Sequence, residues 1–600
     1  LWSMPLNEKR EAGTIYTGLR VIEKTKSEGS KGYDTLTLSI PPQPEEDFAP
    51  NFRQGDMAWL YAYREGKTPD ARHSILYHCT IERIEMDRLV VHLRNGQQNP
   101  NVMGNGPFAL EHADSSGGMG TQTQSLHLFL RSPKDKRDLL LGQRAPRKDE
   151  TLSLSQSYDP RLDGILSQAK QARDYFLLMG PPGTGKTSRA MRFIVEEALK
   201  TGEKMLLMSY TNRAVDEICG MLADNGMPFL RVGNEYSCEE RFRPYLFTAM
   251  ARRHPKMAQI KQELIQAPII VGTVASICGK PELLAIRHTD LAIIDEASQV
   301  LEPYLVGLLC QVGRFILIGD HKQLPAVTQQ SPRDSVIAND EEGQLLRSIG
   351  LKDCRDSLFE RLLRWEKQNG RKDFVGILRW QGRMHPEVAD FPNRMFYARE
   401  KLEPVPCPHQ KEPDLPYHEE PNDALDRQLR YHRVLFIASK DCLEPQLSDK
   451  VNADEARIVA EVAHRLRRFM GEGFNAKTSL GIIVPYRNQI SLIRQRLEEK
   501  KLPELMDITI DTVERYQGSQ RDVIIYSFTI QRQWQMNFLT ANNFVEDGKL
   551  IDRKLNVALT RAREQMIITG NPHTLKGNSV FAQLMDYCKE KGGYLRSEGI

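Results

Sequence analysis

The sequence predicts an α/β fold: two doubly wound parallel-sheet domains preceded by a small N-terminal β-barrel accessory domain. Three observations carry this. A phosphate loop at 180–187 stands between a strand-length apolar run, 175–179, and a helical pattern, 191–199. Strand-like runs alternate with helical stretches from about 151 onward, which implies parallel strands with helices on both faces. Residues 1–150 instead hold apolar or alternating runs without intervening helices, as a small barrel would.

In chain order, the barrel runs are 35–40, 56–63, 74–84, 88–93 and 125–130, separated by Gly, Pro and Asn. The Gly/Ser/Asn-rich stretch 99–124 is expected to be a flexible loop. Residues 131–148 carry seven basic side chains against two acidic ones. That suits either a solvated helical connector or a stalk that touches a polyanion's backbone. The first α/β domain, 151–370, takes strands at 204–210, 269–274, 291–295 and 314–320, with a polar helical insert at 234–266. Within that insert, 241–256 hold five basic side chains and no carboxylate. The second domain, 371–600, takes strands at 374–378, 433–439, 480–486, 508–513, 523–528 and 566–570, with a surface loop expected at 401–432.

Six hundred residues allow three to four domains. With 82 basic and 79 acidic residues the net charge is only +3, so any polyanion must be met by local patches. Nine cysteines without a C-x-x-C pair argue against structural zinc, an iron–sulfur cluster or a disulfide framework. No apolar run approaches 18 residues and no leader pattern opens the chain. A soluble protein of the cytoplasm or nucleus, without membrane contact, is expected. The chain begins at Leu1, with Met4 close behind, so whether it is a fragment of something longer stays open.

The loop itself reads Gly180-Pro181-Pro182-Gly183-Thr184-Gly185-Lys186-Thr187-Ser188. Its glycines let backbone N–H groups converge on an anion at a helix N-terminus. Lys186 would reach the β- and γ-phosphates, and the Thr187 hydroxyl would hold Mg²⁺. Downstream, Asp295 and Glu296 close a buried strand-like run. Asp295 is placed to bind the same Mg²⁺, and Glu296 to deprotonate the attacking water. Gln323, in GDHKQLP, can hydrogen-bond the γ-phosphate or that water.

The ordered series GPPGTGKT, SYTNRAVDE, IIDEASQ, GDHKQLP, QGRMHPEVADFPNRMFY, VPYRNQI, ITIDTVERYQGSQRDVII and LNVALTRAR closely resembles the superfamily 1B helicases. Within them it is similar to the group of the nonsense-mediated-decay RNA helicase and the replication nuclease-helicase. The resemblance runs from about residue 170 to the end, and more weakly over 50–145. It implies two RecA-like domains that close on ATP and Mg²⁺. It also implies that Arg383 and Arg561 reach the triphosphate from the second domain, and that Gln517 and Gly518 approach its sugar and γ-phosphate. A planar guanidinium suits the developing γ-phosphoryl charge.

Three positions depart from the family pattern. Gly382 replaces the aromatic of Q-Y-R, Gln520 replaces the acid of Q-G-x-E, and no Leu-Asn-x-x-Gln adenine reader is recognisable in 159–171. Hydrolysis of a nucleoside triphosphate is therefore implied more firmly than a choice of base.

The resemblance further places single-strand contacts on Thr211, Asn212, Gly272, Thr273, Pro485, Tyr486 and Thr512, all just after strand-like runs. Single-stranded nucleic acid is the implied partner, DNA in preference to RNA, with 5′→3′ movement. An NTP-gated clamp that grips without unwinding stays open, as does the motor part of a nuclease-helicase whose nuclease lies upstream.

Overall fold

The computed structural model describes the chain except residues 1–3, 28–29, 44–49, 86, 98–105, 114–116, 329, 443–447 and 597–600. In chain order its first strands are β1 (Ile15–Thr25), β2 (Tyr33–Ser39), β3 (Met57–Ala62), β4 (Tyr77–Ile84), β5 (Arg88–Gln97) and β6 (Phe108–His112). Then come β7 (Tyr175–Met179), β8 (Met205–Ser209), β9 (Leu230–Val232), β10 (Ile269–Thr273), β11 (Leu291–Asp295), β12 (Arg314–Gly319) and β13 (Val375–Ile377). A short pair, β14 (Trp380–Gln381) and β15 (Glu403–Pro404), precedes β16 (Val434–Ala438), β17 (Leu480–Val484), β18 (Thr509–Thr512) and β19 (Arg521–Ser527). The last are β20 (Phe544–Glu546), β21 (Lys549–Ile551), β22 (Ala562–Gly570) and β23 (Tyr594–Arg596). The chain forms two compact units, 1–124 with 229–280, and 125–228 with 281–600.

In the first unit a closed barrel runs β1-β2-β5-β4-β3-β6. Alternation along β2 turns Asp34, Leu36 and Leu38 inward, as the period-2 pleat requires. Leu19, Leu60, Ile81, Val91 and Leu110 complete a dry interior. The insert after β9 is helical at Phe247–Arg253 and Met257–Gln266, as its pattern predicts. It packs within this unit, where Gly55 lies so close that a Cβ there would stand 2.6 Å from Ser237 Cβ. Two expectations fail. The stretch 99–124 is not loop throughout: β6 lies inside it, too short to show against its Gly- and Asn-rich flanks. Residues 125–130 are not a strand but part of a helix, Gly117–Arg131. Short apolar runs carry little period information; as a helix, this one exposes Leu126 and Leu130 and buries Ser125.

In the second unit, Ser125 Oγ accepts from Gly307 N at 3.0 Å and donates to the Tyr304 carbonyl at 3.2 Å. The connector helix is only Lys134–Leu140, and its basic side chains serve the protein itself. Arg144 and Arg147 both bind the fully buried Asp174 carboxylate, while Lys136 caps the Val312 and Gly313 carbonyls.

The first parallel sheet of this unit runs β13-β7-β12-β11-β8. Every residue of β7, β8, β11 and β12 is buried, as strands covered on both faces must be. The run at 374–378, expected in the second sheet, instead pairs with β7 in this one, Val375 opposite Leu177. Nothing in a three-residue parallel edge strand encodes which sheet it joins. The second sheet, β18-β17-β19-β22-β16-β23, is parallel throughout. Its core draws Leu415, Tyr417, Leu425 and Leu429 from 401–432, so that stretch is not merely a surface loop. It contains a helix, Ala424–Tyr431, whose Leu425 and Leu429 lie four apart on one face.

Among the described residues no helix is long and apolar enough to cross a membrane, and no three or more His, Cys, Asp or Glu side chains gather as a metal-binding group. All nine cysteines are free thiols.

Candidate nucleotide site between the two sheets of the second unit

The phosphate loop leaves the carboxyl end of β7 and is held in shape by its own atoms. Gly180 N donates to the Gly319 carbonyl at 2.9 Å, tying the loop to the end of β12. Thr184 Oγ1 donates to the Pro181 carbonyl at 2.7 Å. Gly183 and Gly185 both have φ of +75°, a conformation that costs other residues energy. The following helix opens with one wide π-type turn, Lys186–Met191, so Thr187 and Ser188 stand at its mouth. A Cβ on Gly180 would collide with the Lys186 side chain, which lies back over the loop.

Lys186 Nζ is 3.3 Å from Glu296 Oε1. Burial opposes its charge, but the Glu296, Asp295 and Asp320 carboxylates outweigh that and hold its pKa above the ordinary lysine value. The two adjacent acids are pushed apart. Burial and then the Glu296 charge raise Asp295. Glu296, though buried too, is lowered by Lys186 and by the Gln299 side-chain amide. Separated pKa values are what distinct roles require. Glu296 also has φ of +53°, a left-handed backbone rare for such a residue. Strain of this kind persists where surrounding structure enforces it.

Thr187 Oγ1 donates to Asp295 Oδ2 at 2.7 Å. A hydroxyl and a carboxylate at hydrogen-bond distance, beside a second acid that raises the cost of ionising the first, form a donor set that fits Mg²⁺.

From the second sheet, Arg561 enters at the start of β22. Its Nη2 donates to Gln323 Oε1 at 2.9 Å and its Nε to the Val557 carbonyl at 3.0 Å. It is 2% exposed; burial, and then the neighbouring Arg383, bring its pKa down to about 9. Gln323 in turn donates to Asp320 Oδ2 at 2.7 Å. Arg383 follows β14, where Gly382 N donates to the Gly183 carbonyl at 2.9 Å. A Cβ on Gly183 would stand 2.5 Å from Arg383 Cβ. Arg383 Nε donates to Gln520 Oε1 at 2.8 Å. Gln520 thus gives that guanidinium a neutral partner where an acid would form an ion pair. Gln517 and Gly518 lie on the turn between β18 and β19, Gly518 with φ of +80°.

The phosphate loop, the paired acids, Gln323 and the two arginines therefore meet in one cleft. Two family models described as AAA domain match the chain, one over residues 159–263 and 248–331, the other over 354–573. Similarity to known proteins agrees. A DNA replication ATP-dependent helicase/nuclease of Arabidopsis thaliana is 30% identical over 491 residues, 78% of this chain and 33% of that protein. Apart from β23, both parallel sheets of the chain thus lie within AAA domain matches, and its sequence is similar to that of ATP-dependent helicases. An uncharacterized ATP-dependent helicase of Methanocaldococcus jannaschii is 25% identical, over 78% of this chain and 76% of its own length. A solved arterivirus helicase, nonstructural protein 10, aligns with 93% of this chain and 80% of its own at 13% identity and a TM-score of 0.37.

The residues expected to touch nucleic acid fall into two groups. Thr211, Pro485, Tyr486 and Thr512 follow or end β8, β17 and β18, and Thr211 caps the helix Asn212–Asp224 by accepting from Ala214 N. Gly272 and Thr273 end β10 in the first unit, where Thr273 caps the next helix.

Sequence reasoning missed the network beside Gln323. Lys322 is almost fully buried and binds Glu400 at 2.8 Å and Glu546 at 3.0 Å. Glu546 sits on the β20–β21 hairpin and also meets His321 at 3.1 Å. Tyr397 OH donates to Asp320 Oδ2 at 2.6 Å and accepts from Asn556 Nδ2 at 2.8 Å. Also unforeseen, the Arg161 guanidinium lies over the Trp380 ring at 4.4 Å, an aromatic two residues before the position where Gly382 departs from the family. Only GDHKQLP and LNVALTRAR, as stretches that carry the family resemblance, pointed towards Lys322 and Asn556.

Proposed function

We propose that the chain is the motor of an ATP-dependent helicase that moves along single-stranded nucleic acid, DNA in preference to RNA, in the 5′→3′ direction. The first parallel sheet, which takes in Val375–Ile377, and the second parallel sheet are the cores of two RecA-like domains, with the closed barrel of β1–β6 as an accessory domain. What supports this best is the approach of Arg383 and Arg561 to the phosphate loop and Gln323. Two guanidinium groups there suit the charge of a γ-phosphoryl group.

In the proposed reaction Lys186 and the loop amides of 180–188 hold the β- and γ-phosphates. Thr187 and Asp295 would hold Mg²⁺, which would supply neutralising charge to the phosphate oxygens. Glu296 accepts a proton from water as its oxygen bonds to the γ-phosphorus and the bond to the β-phosphate oxygen breaks, yielding ADP and phosphate. Arg383 and Arg561 stabilise the charge that spreads over the transferring group. Gln323, bonded to Arg561, relays the change to the second domain, and Gln517 and Gly518 close over the sugar. The strand is gripped at Thr211, Asn212, Gly272, Thr273, Pro485, Tyr486 and Thr512.

The chain spans a third to about a half of several curated relatives named helicase/nuclease, 33% of one and 52% of another. A nuclease working alongside this motor is part of the proposal. The test is strand-stimulated ATP hydrolysis and displacement from an overhang-bearing duplex, for DNA and for RNA. Hydrolysis stimulated by the strand without displacement would replace the motor with a clamp; no stimulation would overturn both.

A further inference from the structure

Three neighbouring strands of the second sheet, β18, β17 and β19, are adjacent and parallel, so their carboxyl ends share one edge. The first two ends carry Thr512 and Tyr486. The third runs into 528–540, to which no role has been assigned above. This segment is built rigidly. Thr529 is buried with φ of +62° and donates its N–H to Glu455 at 2.8 Å. Gln535, fully buried, accepts from the Gln531 and Arg532 amides at 2.9 and 3.0 Å. Its own Nε2 donates to the Asp449 carbonyl at 2.8 Å.

On this foundation residues 533–539 form two short helical turns with opposite faces of opposite character. Gln535, Met536 and Leu539 point inward. Trp534 and Phe538, four apart and so on one side, are 57% and 42% exposed. The Phe538 ring stacks on Tyr486 with centroids 4.9 Å apart and planes at 23°, and Lys554 Nζ lies 4.0 Å from its centroid. Trp534 is held outward by this rigid foundation and takes no part in the core beneath it. Exposed aromatic rings continuous with the Tyr486 loop are what unpaired bases stack upon regardless of sequence; Lys554, paired with Glu514 at 3.1 Å, holds Phe538 in place.

We propose that Trp534 and Phe538, with Tyr486, form a base-stacking platform for single-stranded nucleic acid on the second domain. The inference rests on the single-strand reading above and extends it from the sugar–phosphate backbone to the bases.

The test is fluorescence-polarisation binding of a labelled oligothymidylate and of an abasic strand of equal length, to the parent chain, Trp534→Ala and Trp534→Phe. The parent should prefer the oligothymidylate. Trp534→Ala should lose about tenfold for that strand and little for the abasic one, with Trp534→Phe restoring most of the difference. An unchanged melting temperature will show that Trp534→Ala is folded; if it is not, the Trp534→Phe comparison and a Phe538→Leu variant read the same preference. Equal affinity of the parent for both strands, or a Trp534→Ala variant that keeps the preference, overturns the platform while leaving backbone binding intact. No binding of either strand by the parent overturns the single-strand reading and the platform with it.

Discussion

Arg561 Nη2 and Gln323 Oε1 are 2.9 Å apart, a hydrogen bond that joins the start of β22 in one sheet to the end of β12 in the other. Both side chains are almost fully buried, so the contact is held in a low-dielectric cleft beside the phosphate loop. Removal of the guanidinium, Arg561→Ala, should lower ATP turnover by roughly 10³-fold or more. Arg561→Lys should not restore it, because an ammonium cannot serve Gln323 and a phosphoryl oxygen with one planar fork. Steady-state phosphate release measures both. Recovery by lysine would show that charge alone matters.

Gly183 faces a different constraint. With φ of +75° and a hypothetical Cβ 2.5 Å from Arg383 Cβ, Gly183→Ala must both strain the loop, by about 1–2 kcal/mol, and push Arg383 away. Turnover should fall at least about tenfold, more than the strain alone would cause through lost stability. A parental rate in this variant would mean that the loop and Arg383 do not close together during hydrolysis.

The Lys322 ammonium and the Glu400 carboxylate are each 3% exposed. Glu400→Ala leaves the ammonium with Glu546 and the Phe396 carbonyl and should destabilise by about 3–5 kcal/mol, whereas a paired Lys322→Met, Glu400→Leu change should recover most of that. Denaturant titration of the variants measures it. The smaller expected effect is at Glu546, which is partly solvated and leaves Lys322 with its better-buried partner.

Much of this architecture was legible beforehand, and the limits are physical. The phosphate loop, the paired acids and the sheet strands are written in contiguous residues, so Lys186, Asp295 and Glu296 could be placed from order alone. Arg383 and Arg561 needed the family resemblance, since a lone arginine has no local signature. The left-handed backbone of Glu296, the Lys322–Glu400–Glu546 network and the membership of 374–378 in the first sheet arise from tertiary packing. Residues 125–130 misled because a six-residue alternating run fits a strand as well as a helix.

Glu455 gives a pH signature apart from catalysis. Burial, against the donors Ser527, Thr529 and Ser439, pushes its carboxyl up to about 8. A raised acid favours the folded state fully below the unfolded pKa, about 4.3. That contribution is lost as pH rises through about 8. Thermal stability should therefore fall between pH 5 and 8 more steeply in the parent than in Glu455→Gln, whose amide can reproduce the protonated carboxyl's bonds. Parallel melting-temperature profiles across that window would remove Glu455 as the source.

In the proposed reaction one triphosphate is gripped from both sheets at once. The most direct measurement is oligothymidylate-stimulated ATP hydrolysis by Arg383→Ala, beside equilibrium binding of a fluorescent ATP analogue. The account predicts binding within a few-fold of the parent and turnover reduced by roughly 10³-fold. An Arg383→Ala chain that hydrolyses ATP at the parental rate would contradict it.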